Sequence, residues 1–379
     1  PKDLDGRSDL FSLAVILWEL LYGERPFVED DLAGGWTSML EAMADRRRRD
    51  VPTAPPGTRD AIAVRLTKVL VRTMSADATK RPADGAALAR ELALCLNPRA
   101  WDLVHDLTTG WRDFARRYPL LALFPVNLPP FALAGPFNLW FNMTHYVPRL
   151  GEEQQRAFWQ ATGPVNGILY PVGTALVLWF AWPVARTLMR LNRGEQPPPD
   201  ELLFARGRAL VLGHGVAALG LSLWLVAGLA FPLFIHAMTG TFPATGYAHF
   251  LLSMLACGII SCCFPFLGTT WLSVRVYFPA LLANSAPDAS ERQRLVTLGR
   301  QAGYYMFTSP VAPLLALLLV MFSGNDSRSA TMILVVVAIA GFAAAYVTWQ
   351  RIRADLEALA IVARPADAFG TTTESSETF

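Results

Sequence analysis

Charge is what this sequence has little of: 17% of its 379 residues are Asp, Glu, Lys or Arg, against roughly 25% in an ordinary soluble domain. Lysine is scarcest, with only Lys2, Lys68 and Lys80. Between Arg208 and Arg275 lie 66 consecutive residues without a formal charge. The shortage of charge argues against a purely cytosolic enzyme, and the stretch suffices for two bilayer crossings at roughly 20 residues each. The four cysteines give no disulfide framework, because Cys257, Cys262 and Cys263 sit in an apolar run and Cys95 in a polar part, so a reduced compartment is the simplest reading. A net charge of +2 gives no case for nucleic acid as a partner. No basic segment followed by a short apolar run and a small-residue cleavage site opens the chain at Pro1, so no signal peptide is visible and the natural N-terminus is read as missing.

The charge that is present is unevenly placed. Residues 1–118 hold 36 of the 64 charged side chains, so two chemically different parts share one chain. In the polar part, Leu10–Leu21 is almost entirely apolar, Ser8 or Asp9 is placed to cap it, and Gly23 with Pro26 supplies a stop. A helix apolar all round is expected to be buried. After Gly34-Gly35, the run Arg46–Arg49 reads as a solvated helix end, with contact to acidic lipid or substrate as the alternative. Helical periodicity returns over 59–74 through Ile62, Leu66, Val69 and Leu70, and again from Asp84, a plausible cap, to Leu96. His105 reads as structural or solvated.

This order of features resembles the C-terminal lobe of a eukaryotic-like Ser/Thr protein kinase. Asp9-Leu10-Phe11-Ser12-Leu13-Ala14 is similar to the kinase pattern Asp-x-Trp-Ser-x-Gly, with Phe11 and Ala14 as mild departures. The long apolar helix follows, then Gly23-Glu24-Arg25-Pro26-Phe27, which is similar to Gly-x-x-Pro-Phe, and Arg81-Pro82 closes the resemblance before the last helix. It covers about residues 1–97. The resemblance implies that Asp9 caps the central helix, that Ile16 and Leu20 support the hydrophobic column beneath adenine, that Glu19 can face a basic substrate, and that Arg81 pairs with a glutamate upstream. The Gly-rich loop, strand lysine, His-Arg-Asp and Asp-Phe-Gly that hold ATP and Mg²⁺ do not occur in this sequence. The expectation is that these residues alone cannot transfer phosphate, and that truncation upstream of Pro1 accounts for the absence.

In the apolar part, segments able to span a bilayer lie at about 119–141, 164–185, 209–235, 247–272, 303–322 and 330–349, none with a charged side chain. Pro125, Pro129, Pro130 and Pro136 are expected to kink or break the first. With the polar part inside, the cytoplasmic segments carry fifteen arginines and the outer loops only Arg149, Arg156 and Arg328. That bias predicts six spans with both ends cytoplasmic. Arg206–Gly213 parallels Arg292–Gly299, a weak repeat relating the second and third spans to the fourth and fifth. His214, His236 and His249 read as interfacial; Asn127, Asn138 and Asn142 as glue between helices, with a small polar site as the alternative. Gly213, Gly215, Gly220 and Gly228 read as close-packing positions, while Asn142-Met143-Thr144 and Asn325-Asp326-Ser327 fit glycosylation sequons. Trp101, Val104, Leu107, Trp111 and Phe114 recur at helical spacing beside Arg112, Arg116 and Arg117, which fits an amphipathic juxtamembrane helix or one packed on the polar lobe.

The expected fold is therefore all-α: a helical kinase C-lobe end over 1–97, a juxtamembrane helix over 98–118, a six-helix bundle over 119–353 and a cytoplasmic tail over 354–379, disordered at its end. The expected function is that of the C-terminal portion of a multi-pass plasma-membrane Ser/Thr kinase, with protein substrates and the bilayer as partners and room for a homodimer. ATP and Mg²⁺ are implied as cofactors of the parent protein, no metal site is expected in these residues, and Thr371–Thr373 with Ser375-Ser376 read as phosphorylation targets. The alternative is a transporter or channel component with an inactive kinase-like appendage.

Overall fold

The computed structural model describes residues 5–27, 36–108, 110–282, 288–322 and 328–362, and every regular element among them is helical. Gly34-Gly35, the Asn325 sequon and the tail from Arg364 to Phe379 lie outside the described residues. One compact unit runs to Trp101 and a second spans Asp102–Ala360, so the division falls inside the segment expected to link them.

The first unit is built from α1 (Arg7–Tyr22), α2 (Trp36–Arg49), α3 (Ala61–Thr73) and α4 (Gly85–Cys95). The start of α1 corrects the sequence reading. The Asp5 carboxylate accepts from the Arg7 N–H at 3.0 Å and Gly6 takes the cap position without a side-chain bond. Asp9 therefore lies inside the first turn, where its charge complements the helix dipole and does not cap. Gly23, at φ +73°, ends the helix by donating its N–H to the Glu19 carbonyl at 2.8 Å. Asp60 and Asp84 cap α3 and α4 through the Ala63 and Ala87 N–H groups at 2.8 and 2.7 Å, Asp84 as the sequence predicts. Ala14 and Trp18 of α1 pack on Leu70 of α3 and on Met74, the residue that ends it. Burying each of the larger side chains contributes roughly 1.5–3 kcal/mol. The opposite face of α1 is bare, with Ile16 55% and Leu20 77% exposed, because within this unit α3 covers only one side. The all-round burial expected of α1 is thus only half met. The sequence reading placed a helix end at Arg46–Arg49 but not the body of α2, although Met39, Leu40 and Met43 carry its helical spacing.

The short α5 (Pro98–His105) crosses the division, and the second unit continues with α6 (Gly110–Arg117), α7 (Phe124–His145), α8 (Glu152–Asn192), α9 (Pro199–Thr239) and α10 (Ala244–Leu272). One wide π turn, Ser273–Tyr277, joins α10 to α11 (Phe278–Leu282), after which come α12 (Ala289–Thr308), α13 (Val311–Phe322) and α14 (Arg328–Val362). The amphipathic helix expected over 98–118 is replaced by α5 and α6, with Gly110, at φ +57°, opening α6. Among the described residues five helices are long and apolar enough to cross a membrane: Glu152–Asn192, Pro199–Thr239, Ala244–Leu282, Ala289–Met321 and Thr331–Val362. They mark the chain as a membrane protein. Helices α8 and α9, of 41 residues each, are about 60 Å long at 1.5 Å per residue, twice the roughly 30 Å hydrocarbon layer. Outward-facing side chains such as Trp179, Leu233 and Met332 are exposed and apolar, as a lipid-facing surface requires. The α10 segment is central, with 61% of its apolar window buried against 11% for α14.

Three glycines of α9 form the seam with α10, as their sequence pattern predicts. A Cβ at Gly220 would lie 2.4 Å from the Ser261 carbonyl oxygen, at Gly213 2.2 Å from the Thr270 hydroxyl, and at Gly228 3.2 Å from Met254 Cβ. Gly215 instead receives the Phe180 ring of α8. Helix α7 is continuous through Pro129, Pro130 and Pro136, contrary to the expected break. Each proline leaves a carbonyl four residues earlier without its intrahelical donor. One of these, on Val126, abuts Gly268 of α10, where a Cβ would meet it at 3.0 Å, so the two helices are closely packed at that point. The two helices run antiparallel along the whole of α7. Asn127 accepts from the Thr269 hydroxyl at 3.1 Å, Cys257 donates to the Ala134 carbonyl at 3.5 Å, and Asn142 meets His249 at 3.1 Å.

Candidate functional site

Within the first unit the residues singled out from sequence divide into those the fold brings together and those it does not. The Arg81 guanidinium donates to the Ser75 and Arg7 carbonyls at 2.7 and 3.2 Å and lies 5.0 Å from the centre of the Phe11 ring. Arg7 reciprocates by donating to the Ala78 carbonyl at 3.2 Å, so Arg81 ties the loop before α4 to the first turn of α1. Arg47 of α2 covers the same Phe11 ring at 5.8 Å, while its neighbours Arg46 and Arg48 make local pairs with Asp50 and Asp45, as a solvated helix end does. Glu19 pairs with Arg25 at 3.6 Å on the exposed surface. Ile16 and Leu20 stand apart from this cluster on the bare face of α1. The Cys95 thiol is pushed up to about 11, first by burial and then by Glu91, which keeps it protonated and unreactive.

The second unit holds two polar clusters at opposite ends of the bundle. Where α8 ends and α9 begins, Arg206 is 3% exposed and donates to the Leu281 and Leu282 carbonyls at 3.0 and 2.9 Å while facing Glu291 at 3.5 Å. Glu291 also closes a capping box with Asp288 at the start of α12. Arg275, in the π turn, grips both oxygens of the fully buried Asp355 at 2.8 and 3.0 Å. Trp111 stacks on Trp271 at 4.9 Å, and Asn192 donates to the Arg116 carbonyl at 2.8 Å, which brings α6 to this same end. The repeated motifs meet here: a Cβ at Gly207 would lie 3.1 Å from the Arg294 side chain.

At the other end, Asn142 donates to Asn138 and contacts the His249 ring, which is stacked between Phe141 and Tyr146 at 5.4 and 4.2 Å. His145 is 3% exposed, and among the described residues neither ring nitrogen has a hydrogen-bond partner. These placements refine two expectations. His214 and His249 face ring partners inside the bundle: Phe266 and Tyr305 around His214, Phe141 and Tyr146 around His249. Asn142, 1% exposed inside α7, is no glycosylation acceptor, whereas its role as glue between helices agrees with the sequence reading. No cluster of three or more His, Cys, Asp or Glu side chains able to hold a metal occurs among the described residues.

No protein-family model, curated protein or solved structure matches the chain. The buried pairs Arg206–Glu291 and Arg275–Asp355 escaped the sequence reading, which assigned all four to loops or tail. A signal was present for two of them: Arg206 and Asp355 each stand about two turns inside a helix whose apolar residues continue around it.

Proposed function

We propose that this chain is the C-terminal portion of a membrane-anchored Ser/Thr protein kinase, with the first unit as the end of the catalytic lobe and the second as its membrane anchor and sensor. The parent protein transfers the ATP γ-phosphoryl group to Ser or Thr hydroxyls of protein substrates with Mg²⁺, and the residues binding ATP and metal lie outside this chain. One observation carries the reading. Helix α1, which bears the kinase-like motif, is apolar all round yet leaves Ile16 and Leu20 bare, the positions on which the resemblance seats the column beneath adenine. The Arg81 clasp on the start of α1 agrees with a structural role for that arginine. The sharpest test reads the open frame upstream of Pro1 and expresses the longer product with radiolabelled ATP. The strand lysine, His-Arg-Asp and Asp-Phe-Gly with Ser/Thr phosphorylation are expected, and a frame lacking them refutes the proposal.

We further infer that α7 is a sixth crossing, with the arginine-rich end and both chain ends cytoplasmic. Its 22 residues span about 33 Å. Its contacts with α10 from Asn127–Thr269 to Asn142–His249 supply the polar partners that its composition lacks lipid-compatible substitutes for. Reporters fused before Gly110 and after Arg353 should both be active only in the cytoplasm; opposite sides for the two fusions exclude the crossing. A second reading, a transporter or channel component with a regulatory kinase-like unit, draws on the unpartnered His145 beside His249 and Asn142, since ionisable groups buried in a membrane bundle mark transport sites.

A further inference from the structure

Helix α7 packs along α10 and stands off from α8 and α9, leaving a groove of about 490 Å³ between the three. Its lining runs on α7 from Leu123 to Pro136, about 20 Å, somewhat longer than the roughly 15 Å hydrocarbon depth of one leaflet. The walls are hydrocarbon and aromatic, as at Phe131, Val177 and Leu219. The polar side chains on it are Asn127, Tyr170 and Thr174, and Asn127 spends its amide on the Leu123 carbonyl and the Thr269 hydroxyl. Leu128 and Thr174 line the groove and are exposed, so it opens sideways onto the lipid-facing surface.

The end of the groove carries positive charge. Arg208 precedes Leu219 by eleven residues, three helical turns, and therefore stands on the same face of α9. Its guanidinium lies 4.4 Å from the centre of the Phe180 ring, which seals against Gly215 one turn beyond the Val177 wall. Arg208 has ring contacts but no carboxylate partner among the described residues, unlike Arg190 and Arg206 beside it, which both face glutamates. A cation without a counterion, at the charged end of an apolar slot open to lipid, matches one occupant in both chemistry and length.

We propose that the groove is a binding site for a single acidic phospholipid, with an acyl chain between α7, α8 and α9 and the phosphate-bearing headgroup on Arg208. The proposal rests on the chain being a membrane protein and is independent of the kinase reading. The test is native mass spectrometry of the whole chain released from nanodiscs made of equal parts phosphatidylcholine and phosphatidylglycerol. The wild type is expected to retain one phosphatidylglycerol in preference to phosphatidylcholine. Arg208→Gln should lower that preference about fivefold, the effect of one basic side chain on an anionic lipid. Ala132→Trp, at an exposed lining position, should abolish retention of either lipid, and Leu233→Trp, on the exposed lipid-facing surface, should change nothing. Should the tryptophan variant not fold, Thr174→Leu narrows the same slot more gently and carries the same expectation. Equal retention of the two lipids by the wild type, an unchanged preference in Arg208→Gln, or full retention in the folded groove variants would each overturn the assignment.

Discussion

Gly220→Ala should destabilise the membrane bundle, whereas Gly167→Ala, the same chemical change one helix away, should stabilise it. In the interior of a helix alanine is favoured over glycine by about 1 kcal/mol. Gly167 of α8 has nothing within 4 Å of an added Cβ, so that gain is expected nearly in full. At Gly220 the new atom would stand 2.4 Å from the Ser261 carbonyl oxygen and 3.2 Å from its carbon. Carbon normally keeps about 3.3–3.6 Å from a carbonyl oxygen, so α9 and α10 must separate by about 1 Å. Because the obstacle is backbone, no rotamer change relieves it, and a gap of that size forfeits a quarter to a half of the dispersion energy of the contacts it opens. Overpacking of this kind costs roughly 1–3 kcal/mol. The Trp224 indole N–H, which donates to the Ser261 hydroxyl at 2.7 Å, is stretched by the same movement, adding about 0.6 kcal/mol. The cost exceeds the propensity gain of about 1 kcal/mol, and a net loss of about 0.5–2.5 kcal/mol follows. Unfolding of the two variants in detergent mixed with increasing sodium dodecyl sulfate, followed by tryptophan fluorescence, reads the difference directly. A Gly220→Ala protein as stable as Gly167→Ala would refute the close-packed seam.

Removing one partner of a buried ion pair is costlier. Arg206→Met leaves Glu291 buried without this cation and takes one donor from each of the Leu281 and Leu282 carbonyls, so a loss of about 3–5 kcal/mol is expected in the same unfolding assay; a loss below about 1 kcal/mol contradicts the assigned geometry. In the first unit, Arg81→Ala should free the start of α1 and expose it to limited proteolysis, and Arg81→Lys should rescue little because a single ammonium cannot reach both carbonyls in the guanidinium's fork. The Asp288 carboxylate is held below its ordinary range by the Glu291 backbone N–H and the Ser290 hydroxyl. A depressed folded value means the cap contributes fully above the unfolded value of about 3.9 and loses that contribution as pH falls through the folded one. Hydrogen exchange at the start of α12 should therefore quicken on acidification, and Asp288→Asn, itself a good cap, should flatten the dependence.

Much of this fold is legible in the sequence because it depends on local chemistry. The stop at Gly23, the cap at Asp84 and the α9 glycines each follow from one residue type and its immediate surroundings. Misreadings arose where a distant partner decides the outcome. The prolines of α7 argue for a break, yet the helix runs on, packed against α10 along its length, with Val126 close to Gly268, 142 positions later in the chain. The charged pair Arg275–Asp355 joins residues 80 apart, and read singly each resembles an ordinary loop or tail charge. Ile16 and Leu20 show the converse. Their apolar character predicts burial, and the described residues contain nothing that covers them.

The wide turn Ser273–Tyr277 sets the numbering of everything after it. A π turn inserts one residue relative to an uninterrupted α-helix, which rotates all later side chains by about 100°. Before the insertion the helix presents Ser261, Phe266 and Thr270 to α9; within and beyond it, the chain presents Arg275 to Asp355 and the Leu281 and Leu282 carbonyls to Arg206. Deleting a single residue from this turn would therefore act as a frameshift in space. The helix would survive and even gain regularity, yet two ion-pair networks on different neighbours would lose their register together.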